Sequence, residues 1–404
     1  MIATGPKSAQ SRTAMRSAVE DCMKDGVCAE AVIARLALYL QTRIGAAELA
    51  EIVLDLIPSV PQYAERLQEV AGLLRRKPSA FALLRATGAA VRHARDEDET
   101  DAAVVTRLAS SFDAAAAISG TASVQLASLG DEDRLSATTD EIAAWLKEQD
   151  FTGTGRDVLD IGCGIGRFEG ALSNSFNRMV GIDISSRMIS IASERCAALG
   201  NVEVRRTSGL DLTEFDDSSF DCVLAVDCFP YLVLAGMAER HFEEIARVLR
   251  QPGWLALLNY SYRGSLFLDR ADISRLAEAH QLRVVINGEK PFRLWDGDAF
   301  LLARGGGTLP RTASSDVEPE ALKNVTDPKE KVMASGDKKH FGRGTQGKGT
   351  GAGAMTDLPK DKVGENAVLS NRDKKQHSEE RGLDGNRIKS DQYQDHAANQ
   401  LPKD

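Results

Sequence analysis

The stretch Val158-Leu-Asp-Ile-Gly-Cys-Gly-Ile-Gly166, which continues into Arg167-Phe-Glu169, decides the fold that we expect for this chain. The apolar run at its start predicts a buried strand, and glycines at alternate positions predict a tight turn. Glycine suits such a turn because its backbone takes conformations closed to other residues and lets a ligand approach closely. A helix that begins at Phe168 turns its N-terminus toward the same place, where it favours a negatively charged or polar ligand group. This strand–turn–helix is the usual opening of a nucleotide-binding, doubly wound sheet.

The spacing of the glycines separates this turn from two other glycine-rich turns. A dinucleotide fold has G-x-G-x-x-G, whereas Gly166 comes one residue early, and no Gly-Lys-Ser/Thr of a phosphate-binding loop follows. The second expected strand ends at Asp183, 17 residues after Gly166. A carboxylate at that strand end lies beside the glycine turn, where it accepts two hydrogen bonds from a ribose diol.

Four separate segments carry a family resemblance. Asp160-Ile-Gly-Cys-Gly-Ile-Gly166 resembles the first motif of class I S-adenosylmethionine-dependent methyltransferases. The strand end at Asp183, the loop at 208–212 and the stretch Arg247-Val-Leu-Arg-Gln-Pro-Gly-Trp254 resemble the same family, although Trp254 replaces its final glycine. The resemblance covers residues 119–304 and implies S-adenosylmethionine as cofactor, with the ribose at Asp183 and the adenine in the loop. The cofactor-binding residues that it implies are Asp160, Gly162, Cys163, Gly164, Gly166, Asp183, Ile184, Leu210, Asp211 and Asp227.

From Val158 onward, strand and helix patterns alternate, which is typical of a parallel sheet covered on both faces. The predicted strands are 157–161, 178–182, 202–205, 222–226, 254–260, 284–287 and 300–303, with a sharp turn at 251–253 before the fifth. Only a loop separates the last two strands, so we expect them to pair antiparallel. The predicted fold class is α/β, a doubly wound, mostly parallel, seven-stranded, Rossmann-like sheet with an N-terminal α-helical domain.

Helical periodicity dominates the N-terminal part, and Leu36, Leu38 and Ile44 are expected on one buried face. We predict a flexible segment at 1–12, a helical domain at 13–118, a methyltransferase domain at 119–304 and a disordered low-complexity tail at 305–404. Within the second domain, 138–147 is expected to be a capped amphipathic helix. The helical domain is either a scaffold that binds a protein partner or a lid that contacts the substrate.

The composition excludes several classes of function. A formal charge of −9 and an isoelectric point near 5.4 argue against nucleic-acid binding. The six cysteines show neither zinc-ligand spacing nor a disulfide framework, so we expect no metal and a reduced, cytoplasmic protein. Charged residues interrupt the most apolar N-terminal stretch, 29–57, which therefore predicts no membrane span.

Residues on the acceptor side are expected after the fourth and fifth strands, because open sheets bind ligands at the carboxyl ends of strands. Aromatic rings and an arginine there suit a planar or carboxylated small molecule. For Tyr260, packing between helix and sheet is the competing interpretation. The substrate-binding candidates are Tyr231, Asn259, Tyr260, Arg263 and Trp295, and the catalytic candidates are Asp227, Tyr231 and Tyr262.

The reaction that the resemblance implies is an in-line displacement at a sulfonium methyl group. Alignment of the acceptor with the methyl–sulfur axis contributes roughly 7–11 kcal/mol in such reactions, and a base is needed only when the acceptor must lose a proton. We expect methyl transfer to an oxygen or nitrogen atom of a small molecule. The alternatives are a protein or RNA methyltransferase and a non-catalytic, cofactor-binding interaction protein.

Overall fold

The computed structural model describes residues 17, 19–20, 22–23, 26–39, 44–91, 95–96 and 98–305. The flexible segment predicted at 1–12 and nearly all of the tail predicted at 305–404 lie outside these residues. Among the helices that are described, none is long and apolar enough to cross a membrane.

A seven-stranded sheet with the order β3-β2-β1-β4-β5-β7-β6 forms the centre of the fold. Strands β1 to β5 pair in parallel, and β7 pairs antiparallel with both β5 and β6. The predicted mostly parallel sheet with an antiparallel end is therefore confirmed. The strands are β1 (Gly153–Ile161), β2 (Phe176–Asp183), β3 (Val202–Arg206), β4 (Phe220–Val226), β5 (Leu249–Leu258), β6 (Leu282–Glu289) and β7 (Ala299–Arg304).

Strand β5 begins at Leu249, so the turn expected at 251–253 before the strand is wrong. Gln251 and Pro252 lie inside β5, where they are joined by a cis peptide bond. The pairing of β5 with β4 shifts register between Phe220 and Cys222, opposite this segment. An irregular stretch of ladder accommodates a proline, which has no N–H to donate to the neighbouring strand.

Helices cover both faces of the sheet, as the alternating pattern predicts. They are α5 (Asp101–Ile118), α6 (Gly120–Val124), α7 (Glu132–Glu148), α8 (Arg167–Leu172), α9 (Ser186–Cys196), α10 (Phe229–Leu234), α11 (Ala238–Val248) and α12 (Leu266–Ala279). Helix α7 starts before the predicted residue 138, because Asp131 caps it by accepting a hydrogen bond from the Arg134 N–H at 3.2 Å. The predicted amphipathic helix is thus the second half of α7.

The N-terminal helices are α1 (Ala29–Tyr39), α2 (Ala46–Asp55), α3 (Ala64–Arg76) and α4 (Pro78–Ala90). They surround their own apolar core, in which Leu36, Leu49, Leu67 and Leu84 are fully buried. Leu38 was expected on the buried face, but it is not part of this core: 50% of its surface is exposed.

Two segments connect these helices to the sheet. Ala122 and Leu129 bury their side chains in the core of the N-terminal helices, whereas the side chains of Val104 and Leu108 in α5 pack on the sheet. The N-terminal helices therefore lie close to the carboxyl ends of the strands, where the ligand is expected.

Candidate functional site

The turn after β1 uses glycine for a steric reason. Gly162, Gly164 and Gly166 have φ values of 75°, 56° and 74°, a region that side chains disfavour. A Cβ atom on Gly164 would lie 2.7 Å from Val124 Cγ1, and one on Gly162 would lie 2.6 Å from the Cβ of Cys228. The backbone therefore forms one side of a crowded cleft that only glycine fits.

Asp183 at the end of β2 is fixed beside this turn. Its Oδ2 accepts a hydrogen bond from the Gly164 N–H at 3.0 Å, and its Oδ1 accepts one from the Ser185 N–H at 2.8 Å. Burial raises the pKa of this carboxyl group to about 6. The Ile184 N–H donates to the same carboxylate, so roughly one of its about four acceptor positions is left for a ligand.

A cavity of about 1350 Å³ extends from the glycine turn to the N-terminal helices. Its walls come from the strand ends, from the loop before β7 and from helices α1 and α4. The lining residues that we predicted from the sequence are Asp160, Gly162, Cys163, Gly164, Asp183, Ile184, Asp227, Tyr231, Asn259, Tyr262 and Trp295.

Three of the residues expected to bind cofactor lie elsewhere. Gly166 packs behind the turn, where a Cβ atom would lie 3.1 Å from that of Ala192. Leu210 lines a smaller neighbouring cavity of about 350 Å³. The Asp211 carboxylate accepts hydrogen bonds from Arg240 at 2.5 Å and from the Thr213 hydroxyl at 2.7 Å.

Two of the residues expected to bind substrate also lie outside the cavity wall. Tyr260 is 3% exposed and stacks on Phe229 with the ring centres 6.0 Å apart, so it packs between helix and sheet. Arg263 forms ion pairs with Asp269 at 2.6 Å and Asp272 at 2.8 Å. Its charge is therefore compensated within the protein.

Asp227 lies where the ends of β4 and β5 meet the loop before β7. Its Oδ1 accepts a hydrogen bond from the Asn259 side-chain amide at 2.5 Å, and the Trp295 ring donates another to the carboxylate. The Asn259 side chain is held in turn by the Asp298 N–H at 3.0 Å. Burial raises the pKa of Asp227 to about 6, so the group is largely ionised at neutral pH.

Tyr231 and Tyr262 form an aromatic pair next to Asp227 on the cavity wall. Their rings meet edge to face at 5.8 Å, and the Tyr262 hydroxyl donates a hydrogen bond to that of Tyr231. Phe112 supports Tyr231 with a second edge contact at 5.0 Å. Burial raises the pKa of Tyr231, so it stays protonated at neutral pH and acts as a hydrogen-bond donor.

A buried pair of acids lies beneath the turn, and sequence reasoning missed one of its members. Asp160 is 2% exposed and Glu169 is fully buried. Burial raises the pKa of Asp160 to about 7 and that of Glu169 well above its usual range. The two groups satisfy each other by sharing a proton, because otherwise Asp160 Oδ2 and both Glu169 oxygens lack a partner among the described residues.

Sequence reasoning also missed Arg167 and Gln125, which line the same cavity. Arg167 is 6% exposed, and its Nη1 donates to Gln125 Oε1 at 3.0 Å and to Thr139 Oγ1 at 3.3 Å. Burial lowers the pKa of Arg167 to about 10, so its guanidinium remains charged. No local pattern predicts a contact between residues 42 positions apart.

The N-terminal helices close the opposite side of the cavity. Arg35 and Leu38 of α1 and Arg85 of α4 line it, and an ion pair of 2.7 Å joins Arg35 to Asp296 in the loop before β7. Among the described residues, no group of three or more His, Cys, Asp or Glu side chains has the arrangement of a metal site.

Comparison with known proteins gives a consistent result. Residues 159–257 match a family model described as a methyltransferase domain. Over 108 residues the chain is 37% identical to demethylmenaquinone methyltransferase of Tropheryma whipplei (strain Twist), a match that covers 27% of the chain and 43% of that protein. It is 27% identical over 186 residues to the putative methyltransferase YqeM of Bacillus subtilis, covering 43% of the chain and 74% of YqeM.

A solved structure of a SAM-dependent methyltransferase from Aquifex aeolicus shares 22% identity with the chain and has a TM-score of 0.33. That match covers 43% of the chain and 92% of the solved protein. The chain spans less than half the length of the demethylmenaquinone methyltransferases that it matches.

Proposed function

We propose that this chain, whose residues 159–257 carry a class I S-adenosylmethionine-dependent methyltransferase domain, transfers a methyl group to an oxygen or nitrogen atom of a small molecule. The observation that carries the proposal is the cavity of about 1350 Å³. Sites for drug-sized ligands span roughly 300–1,000 Å³. The space therefore suits a cofactor and a second small molecule side by side.

The residues around the turn suit S-adenosylmethionine. Gly162 and Gly164 line the cavity in a backbone conformation that suits glycine, and Asp183 has acceptor capacity left for a ribose. When bound, this cofactor supplies a methyl group on a sulfonium, which is already a good leaving group. Asp160 lines the cavity at the same turn, and in this proposal it binds the methionine end.

Asp227 is our candidate for the group that accepts a proton from the acceptor. Asn259 and Trp295 fix its carboxylate from two sides, and it is largely ionised at neutral pH. Tyr231 is a protonated neighbour that orients an oxygen or nitrogen by donating a hydrogen bond, and Tyr262 supports it by donating its own hydrogen bond to the Tyr231 hydroxyl. In this scheme Asp227 and Tyr231 contact the acceptor, and none of the three residues has to form a covalent bond.

The N-terminal helices support a small acceptor rather than a protein or RNA. Helices α1 and α4 line the cavity opposite the glycine turn, which favours an acceptor small enough to fit between them over a polymer. Leu38 and Leu234 are 50% and 38% exposed and both line the cavity, so an acceptor with apolar surface fits it. The matched demethylmenaquinone methyltransferase also bears the name of a small-molecule enzyme.

We also propose a cytoplasmic location and no nucleic-acid partner. All six cysteines lie in the described part of the chain, and none of them forms a disulfide. Disulfides are rare in the reducing cytosol, so this cysteine usage favours that compartment. The acidic isoelectric point of about 5.4 disfavours a nucleic-acid surface.

The test uses cofactor with a deuterated methyl group and a small-molecule extract as the source of acceptors. Mass spectrometry then reads which fraction gains the label, with Asp227→Asn as the comparison variant. We expect label in one or a few small molecules with the wild type and much less with the variant. Label found only in protein or RNA, or in no acceptor, contradicts the proposal.

A further inference from the structure

We infer that Arg35 of α1 is a positioning residue for Asp227 and acts on it through Asp296. Asp296 belongs to the loop before β7, residues 290–298. Arg35 and this loop both lie outside residues 159–257, which match the methyltransferase family model. The inference rests on the proposed function, since it concerns the residue that we propose as the proton acceptor.

The loop before β7 holds the Asp227 carboxylate from two sides. The Trp295 ring donates a hydrogen bond to the carboxylate directly. On the other side, the Asp298 N–H fixes the Asn259 side chain at 3.0 Å, and the Asn259 amide donates to Asp227 Oδ1 at 2.5 Å. The Trp295 ring packs on Gly297, where a Cβ atom would come within 2.1 Å of it. The position of this loop therefore determines the position of the carboxylate.

Two helices hold this loop in place. The Glu141 carboxylate of α7 accepts hydrogen bonds from two backbone N–H groups of the loop, both at 2.9 Å. From α1, the Nε and Nη2 atoms of Arg35 donate to one oxygen of Asp296, Oδ2, at 3.0 and 2.7 Å. Asp296 follows Trp295 directly in the chain. The ion pair thus ties α1 to the part of the loop that bonds to the proton acceptor.

The ion pair also affects the charge around Asp227. Burial raises the pKa of Asp227 to about 6, and of the charged groups near it, Arg167 on α8 lowers that pKa and Asp296 raises it. Arg35 compensates the charge of Asp296, and because the two side chains are only 34% and 24% exposed, water screens the pair in part. Without Arg35, the negative charge of Asp296 would act on Asp227 uncompensated.

The other titratable groups around Asp227 leave this balance unchanged. Three of them are uncharged near pH 6, namely Cys228 before α10, Tyr231 within it and Tyr262 after β5. In the loop itself, the charges of Asp298 and Lys290 face each other at 3.9 Å. The pair of Arg35 and Asp296 is therefore the contact through which α1 influences the ionisation of Asp227.

The experiment follows the ionisation of Asp227 by tryptophan fluorescence from about pH 4.5 to 8.5, because the Trp295 ring bonds to its carboxylate. The step that disappears in Asp227→Asn is assigned to Asp227. The variants are Arg35→Met and Asp296→Asn. Arg75→Met is the matched control, since it breaks another ion pair of the N-terminal helices, 2.7 Å long and exposed.

We expect the two variants to shift the midpoint of this step in opposite directions. Arg35→Met leaves the like charge of Asp296 in place and should raise the midpoint by about half a pH unit or more, whereas Asp296→Asn removes that charge and should lower it. Arg75→Met should leave the midpoint unchanged. In the methyl-transfer assay the rising part of the pH profile should move with the midpoint, so Arg35→Met is slowed about two-fold at pH 6 and little at pH 8.

A midpoint that moves in neither variant overturns the inference, as does a wild type without a step that depends on Asp227. Shifts in the same direction, or an equal shift in Arg75→Met, also overturn it, because a loosened structure would then explain them without the charge of Asp296. A wild type that methylates no acceptor contradicts the proposed function instead, and the fluorescence step alone then decides whether Arg35 acts on Asp227.

Discussion

Replacing Glu169 by Gln should stabilise the protein at alkaline pH and flatten the pH dependence of its unfolding. In the wild type, Glu169 and Asp160 are 0% and 2% exposed and share a proton. An unfolded chain releases both protons near pH 4, whereas the folded pair keeps them to a higher pH. Groups with a raised folded pKa contribute stability at low pH and lose it as the pH rises through that pKa.

The magnitude follows from the proton count. The pKa of Asp160 rises from 3.8 to about 7, and that of Glu169 rises well beyond its usual range. While the folded pair holds one more proton than the unfolded chain, the free energy of unfolding falls by about 1.4 kcal/mol per pH unit. This loss accumulates as the pH rises from the unfolded pKa values near 4 to the raised pKa values of the folded pair. The Glu169 contribution continues above pH 7.

Glu169→Gln removes that second contribution. Its amide supplies an N–H to Asp160 Oδ2, which otherwise depends on the shared proton. Urea unfolding followed by tryptophan fluorescence at pH 6, 7, 8 and 9 measures the effect, with Glu148→Gln on the exposed end of α7 as the matched control. Above pH 7, we expect the free energy of unfolding of the variant to fall less steeply with pH than that of the wild type, by up to about 1.4 kcal/mol per pH unit. A variant whose slope equals that of the wild type and the control refutes this reasoning.

Three further outcomes are expected. Gly164→Ala should lose about 2–5 kcal/mol of unfolding free energy, from its positive φ and the clash with Val124, whereas Gly155→Ala should change it little because nothing lies within 4 Å; urea titration compares the two. Asp227→Asn should slow methyl transfer about 10²- to 10⁴-fold, and the wild-type rate should rise with pH up to about 6 and then level off; a flat wild-type pH profile contradicts this role. Ser185→Ala removes the cap of α9 and should cost about 1–2 kcal/mol in the same unfolding assay; an unchanged midpoint argues against the cap.

The centre of the sheet was predictable because β1, β4 and β5 contain continuous apolar runs, which are typical of parallel strands buried on both faces. The start of β5 was not, because Pro252 reads as a turn in sequence but lies within an irregular ladder. The start of α7 depends on the cap at Asp131, which lies beyond the apolar face that marks the predicted helix. Local sequence patterns therefore predicted which helices and strands form, whereas tertiary contacts determine the residues at which they begin and end.

The same difference between local patterns and tertiary contacts decides which residues of the site could be predicted. The glycine turn and Asp183 are local features, and the structure brings them together as expected. Tyr260 and Tyr262 look alike in sequence, yet one packs in the core and the other lines the cavity. Arg263 was expected on the cavity wall, but the helix that follows supplies two acids that pair with it. Such choices depend on packing that a single sequence does not encode locally.

The central claim is that the glycine turn and Asp183 bind S-adenosylmethionine, and calorimetric titration of this cofactor and of S-adenosylhomocysteine tests it most directly. Asp183→Asn keeps the size of the side chain but removes its charge, and Asp216→Asn at an exposed position is the control. We expect micromolar binding, about −8 kcal/mol, for the wild type and the control. We expect a large loss of affinity for a folded Asp183→Asn protein. Absence of binding to the wild type, or equal binding to all three proteins, contradicts the account.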